Sequence, residues 1–132
     1  MAISAYSTLP EETERVMEQV IGCALEVHRQ LGPGFLERIY RQALCYELAA
    51  HGLAYECERG VTVQYKDIQI HGQRIDLVVD DRLIVEIKAV ATLDPIHQAK
   101  LISYLRTAGL RAGLLANFNA RLLKDGLKRI VL

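Results

Sequence analysis

Residues 83 to 90, LIVEIKAV, make an apolar run long enough for a buried strand, yet the run carries Glu86 and Lys88 two positions apart. Successive side chains of an extended strand point to opposite faces, so Glu86 and Lys88 share one face with Ile84 and Val90. A carboxylate and an ammonium are thereby held on a surface that otherwise reads as core. An unpaired buried ion loses its hydration and usually neutralises, so something must compensate this pair. Either the two charges compensate each other on an outer strand with a wet face, or a third partner, a metal ion with its substrate, belongs there.

The stretch leading into this run narrows the choice. After Gly52 the sequence GVTVQYKDIQIHGQRIDLVVDDRLIVEIKAV reads as three or four antiparallel strands, with turns near Lys66-Asp67, His71-Gly72 and Asp80-Asp81-Arg82. Asp tolerates the left-handed backbone of a three-residue loop at 80–82, and counting outward from that loop sets Asp76 directly opposite Glu86. Opposed like charges destabilise a strand pair, by about 0.2 to 1 kcal/mol when exposed and more when buried. Two facing carboxylates therefore ask for a cation between them. Lys88 supplies one charge, and a hard divalent ion such as Mg²⁺ or Mn²⁺ supplies more through carboxylates, a backbone carbonyl and retained waters. Such an ion acidifies a bound water, while Lys88 can orient that water or stabilise charge on a phosphoryl oxygen.

The rest of the chain frames these residues. At 132 residues the length fits one domain with a real core. No stretch approaches the roughly 20 apolar residues of a membrane span, and MAISAYSTLPEETE lacks the basic start and apolar block of a secretory signal, so the expectation is a cytoplasmic protein without membrane contact. Cys23, Cys45 and Cys57 are widely spaced and never in a C-x-x-C pair, which reads as reduced thiols behaving as small buried hydrophobes. Formal net charge is zero, but residues 96 to 132 hold seven basic residues and one acid, net +6, leaving −6 on the first 95. That asymmetry fits a basic face for phosphate beside an acidic pocket for a cation, and equally a solvated surface.

Helical patterns flank the strands. Thr8 and Glu11 have capping-box spacing, and Val16, Val20, Cys23, Val27 and Leu31 then recur as one face of a helix of about five turns, stopped by Gly32-Pro33-Gly34. A second helix runs from about Phe35 to Ala50. LDPIHQAKLISYLRTAG is a third, capped by Asp94 before Pro95 and stopped at Gly109. RAGLLANF is another buried strand, and the tail through Val131 is a short helix or strand. This order predicts an α/β sandwich around one mixed sheet.

An Asp on one strand followed ten residues on by Glu-x-Lys, here RIDLVVDDRLIVEIK, resembles the PD-(D/E)XK nuclease superfamily, with Ile75 at the position of the motif's proline. GFLERIY reads Gly34-x-x-Glu37-x-x-Tyr40, the signature of the GxxExxY family. VHRQLGPGFLERIYRQALCYEL, HQAKLISYLRTAGLRAGLLANFN and LLKDGLKRIVL resemble that family in its usual order, from about residue 12 onward. The resemblance implies a restriction-endonuclease-like α/β core over residues 1–132, with a central mixed sheet flanked by helices and two helices at the N-terminal end.

The resemblance also implies roles. Asp76, Glu86 and the backbone carbonyl of Ile87 would hold Mg²⁺ or Mn²⁺, Lys88 would be the catalytic lysine, and Glu37 would reach the metal or its waters. A glutamate three residues after Gly34 is also a good capping residue, and both roles can hold together. Tyr40 either shares the cleft or is a core side chain with a wet hydroxyl. Lys100 stands four residues before Tyr104 where the family usually has glutamine, so the pair would meet a phosphate, with Arg106 and Arg111 near the backbone path. His97, one turn before Lys100 on the same stripe, reads as either a phosphate contact or an ordinary surface histidine, and His28 as a satisfied core histidine. The expected activity is metal-dependent hydrolysis of phosphodiester bonds in DNA, or in RNA, by a small domain working as a homodimer. The rivals are a binding module that kept the fold without efficient catalysis and a hydrolase of small phosphorylated nucleotides.

Overall fold

Helix α1 (Glu11–Leu31) buries Val16, Val20, Cys23 and Val27 of the stripe its spacing predicts, and Leu31 at its end is half-buried against the same core. The computed structural model of the protein describes residues 9–132, so the expected cap by Thr8 lies outside the described residues. Helix α2 (Glu37–Ala50) follows and buries Tyr40, Leu44 and Leu48. Strands β1 (Tyr55–Tyr65), β2 (Ile68–Val79) and β3 (Leu83–Lys88) form the expected meander, α3 (Pro95–Ala108) crosses over, and β4 (Ala112–Asn117) returns parallel to β3. The tail resolves into a short 3₁₀ turn (Leu123–Gly126) and a strand, β5 (Leu127–Val131), antiparallel to β4.

The five strands lie in sequence order in one mixed sheet. Leu83, Val85 and Ile87 of β3 pack with α1 and α2, while Ile84 packs with Leu101, Tyr104 and Leu105 of α3. β3 is covered on both faces, which explains its nearly continuous apolar run. By alternation Glu86 falls on the α3 side. No helix among the described residues is long and apolar enough to cross a membrane.

Two expectations need correction. His71-Gly72 is not a turn but a bulge within β2. The register passes from Val61↔Gln73 to Val63↔Ile70, so two β2 residues oppose Thr62 alone, and Gly72 takes φ 114° to allow it. The hairpin therefore continues to the expected tip at Lys66-Asp67. β1 and β3 are both antiparallel to β2, so this tip projects past the end of β3 that carries Lys88. Nor are the cysteines all buried: Cys23 is, Cys45 is half-buried, and Cys57 is exposed on β1, the edge strand. The loop at 80–82 forms as expected, with Asp80 and Asp81 at φ 53° and 52° and the Arg82 N–H donating to the Val79 carbonyl at 3.0 Å.

Candidate active site

The β2–β3 ladder follows the predicted register through Val79↔Leu83, Val78↔Ile84 and Leu77↔Val85, and stops one pair short of Asp76 and Glu86. Side chains replace the missing ladder bonds. The Ile87 N–H donates to Asp76 Oδ2 at 3.2 Å, and the Asp76 N–H donates to Glu86 Oε1 at 3.4 Å. β2 is disturbed from its other side as well, where Glu58 of β1, opposite Asp76, takes φ 53° and drops out of the pairing. Ile75 and Leu77, which share a face in a regular strand, pack into opposite layers. The strand turns over at Asp76, and the two carboxylates sit between separating strands.

Glu86 is only 4% exposed. Burial first, and then the charge of Asp76, pushes its carboxyl up to about 7, against the pull of the Asp76 N–H, Lys88 and Lys100. A carboxylate that holds its proton this firmly beside a second, half-buried carboxylate is short of positive charge. Two hard oxygen donors fit a hard divalent cation. Among the described residues no group of three or more His, Cys, Asp or Glu is arranged to hold a metal, so water, backbone or substrate would complete such a shell. Ile87, whose carbonyl is the expected third donor, is paired with Ala116 of β4.

Lys88 ends β3, half-buried, and its carbonyl accepts from the Phe118 N–H at 2.8 Å. The buried Asn117, its register partner, clamps the next turn of chain. Asn117 Oδ1 accepts from the Val90 N–H at 3.0 Å, and its side-chain NH₂ donates to the Val90 carbonyl at 2.9 Å.

The Gly34-x-x-Glu37-x-x-Tyr40 segment buttresses the same strand end. Tyr40 is fully buried and its ring stacks on Phe118 with centroids 4.7 Å apart. Its hydroxyl donates to the Gly32 carbonyl at 2.6 Å and accepts from the Phe35 N–H at 3.0 Å. Tyr40 is thus a core residue that ties down the loop before α2, and that loop turns at Gly34 with φ 109°. Glu37 stands in the first turn of α2 without making a side-chain cap; Glu37 Oε2 accepts instead from the N–H of Ala89, next to Lys88, at 3.4 Å.

Helix α3 approaches from the other layer. Asp94 Oδ1 accepts from the Ile96 N–H at 2.9 Å, and His97 Nδ1 accepts from the Asp94 N–H at 3.1 Å, which makes His97 a helix cap. Lys100 Nζ lies 5.8 Å from the centre of the Tyr104 ring. Burial pushes the Tyr104 hydroxyl up, Lys100 opposes this, and Glu86 and Asp76 add to it, so Lys100 and Tyr104 share the field of the two carboxylates. Arg106 and Arg111 stand elsewhere. Arg106 is about 9 Å of helix rise beyond Lys100. Arg111 donates to the Leu132 carbonyl at 3.0 Å, beside Ala112, which pairs with Leu83 at the opposite end of β3 from Lys88. His28 Nε2 meets the Ala120 carbonyl at 2.8 Å, the satisfied histidine that was expected.

Arg41 was not anticipated. Half-buried on α2, it stands 4.0 Å from Asp76 Oδ1 and 3.9 Å from Glu58 Oε1, bracing the aspartate from the α2 side. The signal was in the sequence, because position 41 is one helical turn after Glu37 and shares its face. Asn117 had a signal too, as a polar residue closing an apolar strand, the same anomaly that singles out Glu86.

No curated protein and no solved structure matches the chain significantly. A family model of the PD-(D/E)XK nuclease superfamily matches residues 14–130, a span that holds both carboxylates, the lysine and all of the sheet but the last residue of β5. The α/β architecture, with helices on both faces of a mixed sheet and Asp76, Glu86 and Lys88 at the opening between β2 and β3, agrees with that match. The chain belongs to the PD-(D/E)XK nuclease superfamily.

Proposed function

We propose that the protein is a divalent-metal-dependent nuclease that hydrolyses phosphodiester bonds of DNA, and that it is of the GxxExxY type within its superfamily. The observation that carries this reading is the withdrawal of Asp76 and Glu86 from the β2–β3 ladder, beside Lys88. Asp76, Glu86 and the Ile87 carbonyl would hold Mg²⁺ or Mn²⁺. Such an ion, when bound, supplies an acidified water and positive charge for the phosphoryl oxygens. Arg41 keeps Asp76 in place, and Glu37 holds the Ala89 amide so that Lys88 leaves the strand in a fixed direction. Lys88 orients the attacking water or donates to the phosphoryl oxygen as charge grows there. Lys100, on the open side of the site, meets a phosphate next to Tyr104, while Arg106 and Arg111 would serve only phosphates farther along. The GxxExxY type is supported by the way Gly34, Glu37 and Tyr40 work together as one buttress.

A second reading is a nucleic-acid-binding module without efficient catalysis, favoured by the lack, among the described residues, of a third acidic group arranged to hold a metal together with Asp76 and Glu86. One assay separates the two. Purified protein is given linear, circular, single-stranded and branched DNA with Mg²⁺ or Mn²⁺, beside Lys88→Ala and Asp76→Asn. The nuclease reading expects metal-dependent cutting that falls by at least about a hundredfold in each variant. Equal behaviour of all three proteins would leave the binding module.

A further inference from the structure

We propose that Cys45 and Cys57 form a dithiol site that closes reversibly into a disulfide when a small disulfide compound oxidises it, pinning α2 to β1. Their sulfurs lie 3.2 Å apart, on elements that pack against each other, with Cys57 exposed and Cys45 half-buried. A disulfide needs about 2.05 Å, so closure asks the sulfurs to approach by only about 1.1 Å. Cys23 takes no part. It is buried in α1, and its sulfur meets His51 Nδ1 at 3.6 Å.

The order of events follows from exposure and desolvation. Burial and the neighbouring Cys57 thiol push the Cys45 thiol up to about 12, so Cys45 keeps its proton while the exposed Cys57 meets the oxidant. The Cys57 thiolate attacks one sulfur of glutathione disulfide, forming a mixed disulfide and expelling one glutathione thiolate. Cys45 then gives its proton to solvent and attacks the Cys57 sulfur, breaking the mixed disulfide and expelling the second thiolate. Two electrons and two thiol protons leave the protein, and one glutathione disulfide becomes two glutathione thiols.

The cross-link would fall beside the ion chain described above. Arg41 is one helical turn before Cys45, Glu58 is next to Cys57, and Arg41 spans 3.9 Å to Glu58 and 4.0 Å to Asp76. Closure would fix α2 against β1 where Asp76 is braced. The proposal does not depend on the nuclease reading, because it rests on the positions and exposure of the two sulfurs.

The test treats the full chain with glutathione disulfide and reads intact mass and linked peptides. The expected wild-type product is two hydrogens lighter, joins Cys45 to Cys57 and reverts with dithiothreitol. Cys23→Ser should behave the same, Cys45→Ser should stop with glutathione on Cys57, and Cys57→Ser should form no internal bond. A wild-type chain that stops at the mixed disulfide, or links through Cys23 or through a second chain, overturns the proposal. Should a serine variant fail to fold, the purified oxidised wild type decides alone: its melting temperature should rise above that of the reduced chain and fall back on reduction. An unchanged or lower value also overturns it.

Discussion

Glu86 sets the energetics of the site at the scale of a single residue. Its carboxyl is raised from 4.5 to about 7 in the fold, mainly by burial. Between those values the unfolded chain has lost the proton that the folded chain retains, so stability falls as pH rises through this window and levels off above it. Without a cation the protein should therefore be more stable at pH 5 than at pH 8 as far as this group is concerned. Glu86→Gln, neutral throughout, should remove that slope and gain on the order of 3 kcal/mol at pH 8. Urea unfolding in chelator at the two pH values checks this, and a variant with the wild-type slope would assign the raised carboxyl elsewhere. Glu86 was legible because a charge in an apolar run has few explanations. Arg41 was harder to read, because an arginine on an amphipathic helix has many. Cys57 was misread for the opposite reason. Burial is the common fate of a free cysteine, and only the place of β1 at the sheet edge exposes it.

At the scale of elements, local chemistry was readable wherever one residue type forces one geometry. Asp94 before Pro95 marked the start of α3, and the structure adds His97 as the reciprocal half of the cap. Asp94→Ala should cost about 1 kcal/mol of stability, read as a lower urea midpoint with an unchanged slope. The loop at 80–82 and the register it imposes were equally legible as far as Leu77↔Val85, one pair short of Asp76 and Glu86. The splaying of the strands there was not, since it depends on Glu58 from a third strand and on carboxylates that replace ladder carbonyls. His71-Gly72 failed as a turn signal because a glycine at positive φ serves a bulge as well as a turn, and only the partner strand decides which. The tail was ambiguous for a related reason: five residues carry too little pattern, and pairing with β4 made them a strand.

For the whole molecule, the candidate site is assembled from distant parts of the chain. Glu37 and Arg41 come from α2, Asp76 from β2, Glu86 and Lys88 from β3, and Lys100 from α3. The charge asymmetry between the first 95 residues and the remainder has a partial counterpart in this arrangement, with the carboxylates on the meander and Lys100 on the helix that crosses over it. It does not mark a clean boundary, since Arg129 of β5 binds Glu14 of α1 through both carboxylate oxygens, at 2.6 and 2.5 Å. The hairpin between β1 and β2 adds a consequence for engineering. Its tip at Lys66-Asp67 is exposed and stands clear of both cores, and the strands on either side pair along nearly their whole length. Cutting the chain there should give two pieces, one with Glu37 and Arg41 and the other with Asp76, Glu86, Lys88 and Lys100, that zip together along β1 and β2 when expressed jointly. Co-purification should reveal the pairing, and any cleavage of DNA should belong to the mixture and to neither piece alone. The protein would then be a switchable two-part enzyme whose activity reports the meeting of its halves.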